Sequence, residues 1–145
     1  MRAHPNAAGL GVNWCIFGSS GHITKPEGGV LENFTMRSDD NFHSNRTIKT
    51  ICDPTRVLVF PNPHYPLCRR GFYNLDENGI PIAAAWTSKV SFQTIRINHY
   101  FSKSREEYTA KKSRGRATVN QYRTAKDFEA YDQNLIRDTE ILSLV

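Results

Sequence analysis

A chain of 145 residues with 39% hydrophobic and 11% aromatic positions is long enough to bury a core, and it reads as a single domain over 1–145. Those figures exclude a disordered tail, and 9 Gly with 7 Pro are too few for a collagen-like or linker sequence. The net charge, 19 Lys and Arg against 14 Asp and Glu, is a modest +5.

No run approaches the roughly 18 apolar residues of a spanning helix, so no transmembrane segment is expected. Met1-Arg2-Ala3-His4-Pro5-Asn6 lacks the apolar core of a secretory signal, which points to a soluble, cytoplasmic protein. Cys15, Cys52 and Cys68 are odd in number and widely spaced, with no C-x-x-C pair. They indicate neither a disulfide framework nor a zinc ribbon and read as ordinary, partly buried residues.

In chain order, Leu10 to Phe17 is a β-branched and aromatic run that ends in Gly18-Ser19-Ser20-Gly21, a strand entering a tight loop. Val30 to Arg37 fits a short helix or a strand equally well. Thr47 to Ile51 alternates as a half-buried strand should, and Val57 to Phe60 is a further short strand. Pro61, Pro63 and Pro66 make the following segment irregular, because proline supplies no ladder donor. Leu75 to Pro81 reads as a hairpin connection with Asn78-Gly79 at its tip. Phe92 to Phe101 is the best strand of the second half. Ser104-Arg105-Glu106-Glu107 is a capping box opening a helix, with Lys111, Lys112 and Arg114 in its last turn and Gly115 as a stop. A second helix from about Ala125 places Phe128, Tyr131, Leu135 and Leu142 on one side. The fold class is mixed α and β, strands first and helices last.

Between Lys103 and Lys126 lie eight Lys and Arg against two acids, so the positive charge is local and suits an anion site. Four groups can carry chemistry. Gly18-Ser19-Ser20-Gly21-His22 is either a plain turn or a loop whose amides cradle an anion. Glu27 and Glu32 flank a Gly-Gly and are either solvated acids or a general base. His99 ends a strand, a position that suits a metal ligand or an acid/base group as well as a structural histidine. The basic helix and its end, Lys103, Lys111, Lys112, Arg114, Gly115 and Arg116, fit phosphate oxygens, a solvated helix face or a nucleic-acid stripe.

Taken together, Val12-Asn13-Trp14, Phe17-Gly18-Ser19-Ser20-Gly21-His22 and Lys25-Pro26-Glu27-Gly28, followed by Ile97-Asn98-His99-Tyr100-Phe101-Ser102-Lys103-Ser104 and Arg114-Gly115-Arg116, form a recognisable set. It resembles bacterial glycosyltransferases of the family 2 and family 92 type over nearly the whole chain. The resemblance implies a GT-A-like fold, a nucleotide-sugar donor, a carbohydrate or lipid-linked acceptor, and a divalent cation (Mn or Mg) held by a D-x-D motif. No D-x-D occurs here, since Asp39-Asp40 and Asp76-Glu77 fall in polar loops. The chain therefore corresponds, by that resemblance, to the C-terminal half of such an enzyme, with weak or no activity alone and a cytoplasmic place that extends to the inner face of the membrane.

The resemblance further implies His99 as metal ligand and Glu27 or Glu32 as acceptor base. Lys103, Arg114 and Arg116 would neutralise the leaving diphosphate, and Gly18, Ser19, Ser20, Gly21 and His22 would line the sugar site. The alternatives are a small basic nucleic-acid-binding module and a non-catalytic remnant of a glycosyltransferase.

Overall fold

The computed structural model describes residues 3–114 and 123–144. In chain order the elements are β1 (Ala7–Phe17), α1 (Val30–Asn33), β2 (Met36–Arg37), β3 (Ile48–Cys52), β4 (Val57–Val59), β5 (Leu67–Cys68), β6 (Tyr73–Leu75), β7 (Pro81–Ile82), β8 (Ile97–Tyr100), α2 (Arg105–Ser113), α3 (Ala125–Tyr131) and β9 (Ile136–Arg137). The fold is mixed α and β, and α2 and α3 follow eight of the strands. Among the described residues no helix is long and apolar enough to cross a membrane.

Length argues for one domain over 1–145, but the described residues cluster into two units, each drawn from two stretches of chain. The first takes Met1–Cys15 and Asp40–Ile97, the second Ile16–Asp39 and Asn98–Val145. The long strand β1 gives its first nine residues to one unit and its last two to the other.

In the first unit β1 pairs antiparallel with β3 from Gly9↔Cys52 to Asn13↔Ile48, and parallel with β6 from Ala7↔Tyr73 to Leu10↔Leu75. β7 closes the edge as the hairpin partner of β6. Ala8, Val12, Ile48, Leu75 and Ile82 make the core of this sheet. The β6–β7 connection is the turn that Asn78-Gly79 predicts. Gly79 takes φ 77°, and Asp76 accepts from the amides of Asn78 and Ile80, both at 2.9 Å. Asn13, 3% exposed, sits beneath the sheet as a polar node. Its amide donates to the carbonyls of Asn45 (3.0 Å) and Arg46 (3.2 Å) and to the Thr87 hydroxyl (2.8 Å). Asn45, whose carbonyl takes part in this node, is itself fully buried.

Phe92 to Phe101 does not form the continuous strand its composition predicts; only Ile97–Tyr100 is β8. The reason is Glu77. Its carboxylate accepts from the amides of Gln93, Thr94 and Ile95 at 2.9–3.0 Å and from the Ser91 hydroxyl, so those donors are withdrawn from any ladder. Burial pushes the Glu77 carboxyl up, but these four hydrogen bonds outweigh it and hold the group below its ordinary value of 4.5. A depressed folded-state pKa contributes stability that is complete above 4.5 and lost as the pH falls through the folded value. Glu77→Gln should therefore lower stability by about 1–3 kcal/mol at pH 7 and flatten the acid limb of a urea-midpoint profile below pH 5. An unchanged acid limb would remove Glu77 as its source.

In the second unit the end of β1 meets β2 at Phe17↔Arg37, and β2 pairs antiparallel with β9. Arg37 and Asp138 form an ion pair at 2.7 Å, with 12% and 8% of their side chains exposed. Val30 to Arg37, which reads equally as helix or strand, divides into α1 and β2. Both longer helices open on capping boxes, Ser104 with Glu107 and Thr124 with Asp127. They enclose an aromatic cluster in which the Phe101 ring lies 4.3 Å from Tyr131 and 5.8 Å from Tyr108, and Tyr108 meets Phe128 edge-on at 5.2 Å.

The last helix is shorter than its apolar spacing predicts. α3 ends at Tyr131 and leaves Leu135 69% exposed in a loop. Asp132 and Asn134 leave the helix to take the amides of Ser19 (2.6 Å) and Ser20 (2.7 Å), and Leu135 follows them out.

Candidate functional site

The junction of β8 and α2 concentrates charge and aromatic surface in the second unit. Lys103 makes the turn between the two elements with φ 52°, a left-handed conformation that costs a non-glycine residue roughly 1 kcal/mol or more. The buried hydroxyl residues on either side, Ser102 at 1% and Ser104 at 0% exposure, fix that turn. Its side chain then folds forward onto Glu107, Nζ to Oε1 3.3 Å, at the helical spacing of four. Burial pushes Glu107 up, yet the Ser104 hydroxyl and amide and the Lys103 ammonium bring it below its ordinary value and keep it ionised.

A cleft of about 380 Å³ opens here, lined by Tyr100, Phe101, Ser102, Lys103, Glu107, Ala110, Lys111 and Arg114. Three cations face one carboxylate. Lys111 sits 4.3 Å above the Phe101 ring and donates to the Phe101 carbonyl at 2.7 Å, which holds its ammonium at the cleft wall. Arg114, the C-cap of α2, is exposed at the cleft mouth. The Ser102 hydroxyl is buried in the lining, with no hydrogen-bond partner among the described residues.

His99 is not part of the lining, but its ring stacks on Phe101 at 6.0 Å, directly behind the wall. Lys103 and Arg114 are therefore brought together in one cleft, with His99 beside it. Arg116 and the stop at Gly115 lie outside the described residues.

The loop after β1 comes to the other end of α2. The Arg105 amide donates to the His22 carbonyl (3.2 Å) and the Glu106 amide to the Ile23 carbonyl (2.9 Å), while the Lys25 amide donates to the Glu106 carboxylate (2.7 Å). These bonds and the capping box occupy the first amides of α2, so an anion beside the helix must be bound by side chains. The loop itself is braced by protein groups. The Ser19 and Ser20 amides go to Asp132 and Asn134, the Gly21 amide to the Ser19 hydroxyl, and the His22 amide to the Ser19 carbonyl. His22 packs edge-on to Phe34 at 5.5 Å, with Nε2 donating to the Asn33 carbonyl at 3.1 Å. Gly18 is a glycine because the chain at Gln133 and Asn134 crosses it: a Cβ there would lie 2.5 Å from Asn134 Oδ1 and nearer still to the Gln133 carbonyl.

Neither carboxylate of the Glu27 and Glu32 pair lines the cleft. Glu32 turns back to accept from the Gly29 amide and caps α1, whereas the Glu27 side chain is exposed in the loop before it. Among the described residues no three His, Cys, Asp or Glu side chains converge as a metal site. The groups present therefore do not fit a divalent cation, for which His99 would be the single ligand.

Comparison with protein-family models, curated proteins and solved structures finds no match. The cleft must be read from its own chemistry. Lys111 belongs to the basic group that the sequence marks, and 107, 111 and 114 share one face of α2, onto which the Lys103 side chain folds from the turn before it. Nothing in the sequence marks Ser102.

Proposed function

We propose that the chain is a glycosyltransferase module, the C-terminal part of a GT-A-like enzyme, and that the α2 cleft binds the diphosphate of a nucleotide-sugar donor. The observation that carries this reading is that Lys103, Lys111 and Arg114 line one cleft of about 380 Å³, a size in the range of small-molecule sites. The cations would neutralise charge as it develops on the departing diphosphate, the electrostatic work such a transfer most needs. The sugar would pass to a carbohydrate or lipid-linked acceptor. An acceptor base would come from outside this cleft, which neither Glu27 nor Glu32 lines.

Titration with uridine diphosphate and with inorganic pyrophosphate, each with and without Mn²⁺, tests the proposal. Arg114→Ala should weaken both by about tenfold, the weight of one charge-assisted hydrogen bond of about 1.5 kcal/mol. Ser102→Ala, at a hydroxyl buried beneath the lining, should leave both affinities unchanged, with the fold intact by circular dichroism. Binding of neither ligand, together with steeply salt-dependent retention on DNA or RNA, would replace this reading with the nucleic-acid module.

A further inference from the structure

A second cleft lies wholly within the first unit, and its chemistry is the reverse of the cationic one. It encloses about 450 Å³, within the range of small-molecule sites, and among the described residues no lysine or arginine lines it. Its apolar part follows from strand register. Leu10 of β1 stands between Ile51 of β3 and Leu75 of β6, and all three line the cleft. Ile51 is 58% exposed, so this surface gains from an apolar occupant. Thr94 and Ile95 join the lining because the Glu77 carboxylate holds their amides at 3.0 and 2.9 Å. The His4 ring lies against the turn, where a Cβ on Gly79 would come within 2.9 Å of Nε2.

Two carboxylates stand next to each other in this lining, and they are not equally engaged. Glu77 spends both oxygens on the Ser91 hydroxyl and three backbone amides. Asp76, only 6% exposed, spends Oδ1 on the amides of Asn78 and Ile80, while Oδ2 accepts from none of the described residues. A carboxylate oxygen in so buried a place calls for a donor. An ammonium group carried in by a ligand answers that demand and the charge together.

We propose that this cleft binds a small organic amine, whose ammonium group donates to the Asp76 carboxylate while its apolar body lies on Leu10, Ile51 and Leu75. Charge and shape agree on that class. A hydrocarbon would bring Asp76 Oδ2 no donor, and a carboxylate or phosphate would set like charge beside Asp76 and Glu77. The site stands apart from the diphosphate reading of the α2 cleft, because the two clefts share no lining residue.

Phenethylamine, phenethyl alcohol and phenylacetate share one apolar body and carry a cation, a neutral hydroxyl and an anion in turn. Each should be titrated into the whole chain at pH 7 with the backbone amide resonances followed by NMR. The amine should bind about tenfold more tightly than the alcohol, the weight of one charge-assisted hydrogen bond, and phenylacetate most weakly. The shifts should centre on Leu10, Ile51 and Ile95. Asp76→Asn should bring amine and alcohol within about twofold of each other. Ile51→Lys, a change at an exposed position, should weaken the amine by about tenfold and favour phenylacetate. Equal wild-type affinity for amine and alcohol, no binding of any of the three up to millimolar concentration, or shifts confined to other residues would overturn the proposal. The wild-type comparison decides the matter even if Asp76→Asn disturbs the turn.

Discussion

Asn13→Asp is expected to remove about 4–5 kcal/mol, a large part of the 5–15 kcal/mol that holds a domain together. The substitution preserves shape and changes only the donor. The Asn13 amide nitrogen faces two carbonyls and the Thr87 hydroxyl within 3.2 Å in a site 3% exposed. A carboxylate there would set a buried negative charge against two carbonyl oxygens, with the Thr87 hydroxyl the one neighbour of that nitrogen position able to turn and donate. The variant group resists ionisation, so its folded-state pKa rises above the unfolded value of about 3.9. Its penalty grows as the pH rises through that interval, and lowering the pH from 7 toward 5 should restore part of the loss. Urea denaturation at both pH values reads this directly. A variant as stable as wild type at pH 7 would mean that the node is open to water.

Gly18→Ala should lower stability by about 3 kcal/mol and the thermal midpoint by about 10 °C. The added methyl would meet the Gln133 carbonyl and the Asn134 side chain, and backbone on that side cannot be moved as a flexible side chain can. Displacing the 133–134 stretch also pulls Asp132 and Asn134 off the Ser19 and Ser20 amides, which adds lost charge-assisted bonds to the overpacking. Pyrophosphate affinity measured well below the new midpoint should stay within twofold, because the loop is braced away from the cationic cleft. A stable Gly18→Ala protein that has lost ligand binding would instead return this glycine to the ligand's path.

Sequence reasoning succeeds here where local chemistry decides. The capping box at Ser104, the Asn78-Gly79 turn and the β-branched run ending at Phe17 each specify their element within a few residues, and the structure has all three. It fails where a distant side chain takes over backbone donors. Nothing between Phe92 and Arg96 discloses that Glu77 collects their amides, and nothing near Leu135 discloses that Asp132 and Asn134 are needed at Ser19 and Ser20.

The site divides in the same way. Lys103 and Arg114 share a cleft because they lie at either end of one short helix, a relation the spacing carries. Ser102 is buried by a tight left-handed turn at Lys103, and such a turn acquires meaning only once the elements on either side of it are placed.

The interleaving of the two units bears on how the protein is made. The β2 partner of Phe17 emerges from the ribosome soon after it, but the strand that completes that edge, β9, follows only after the whole 40–97 stretch and both longer helices. That stretch can close on the first part of β1 as soon as β7 is out. The first unit can thus assemble on the nascent chain while the residues around Phe17 wait, their apolar side chains in need of protection until β9 arrives.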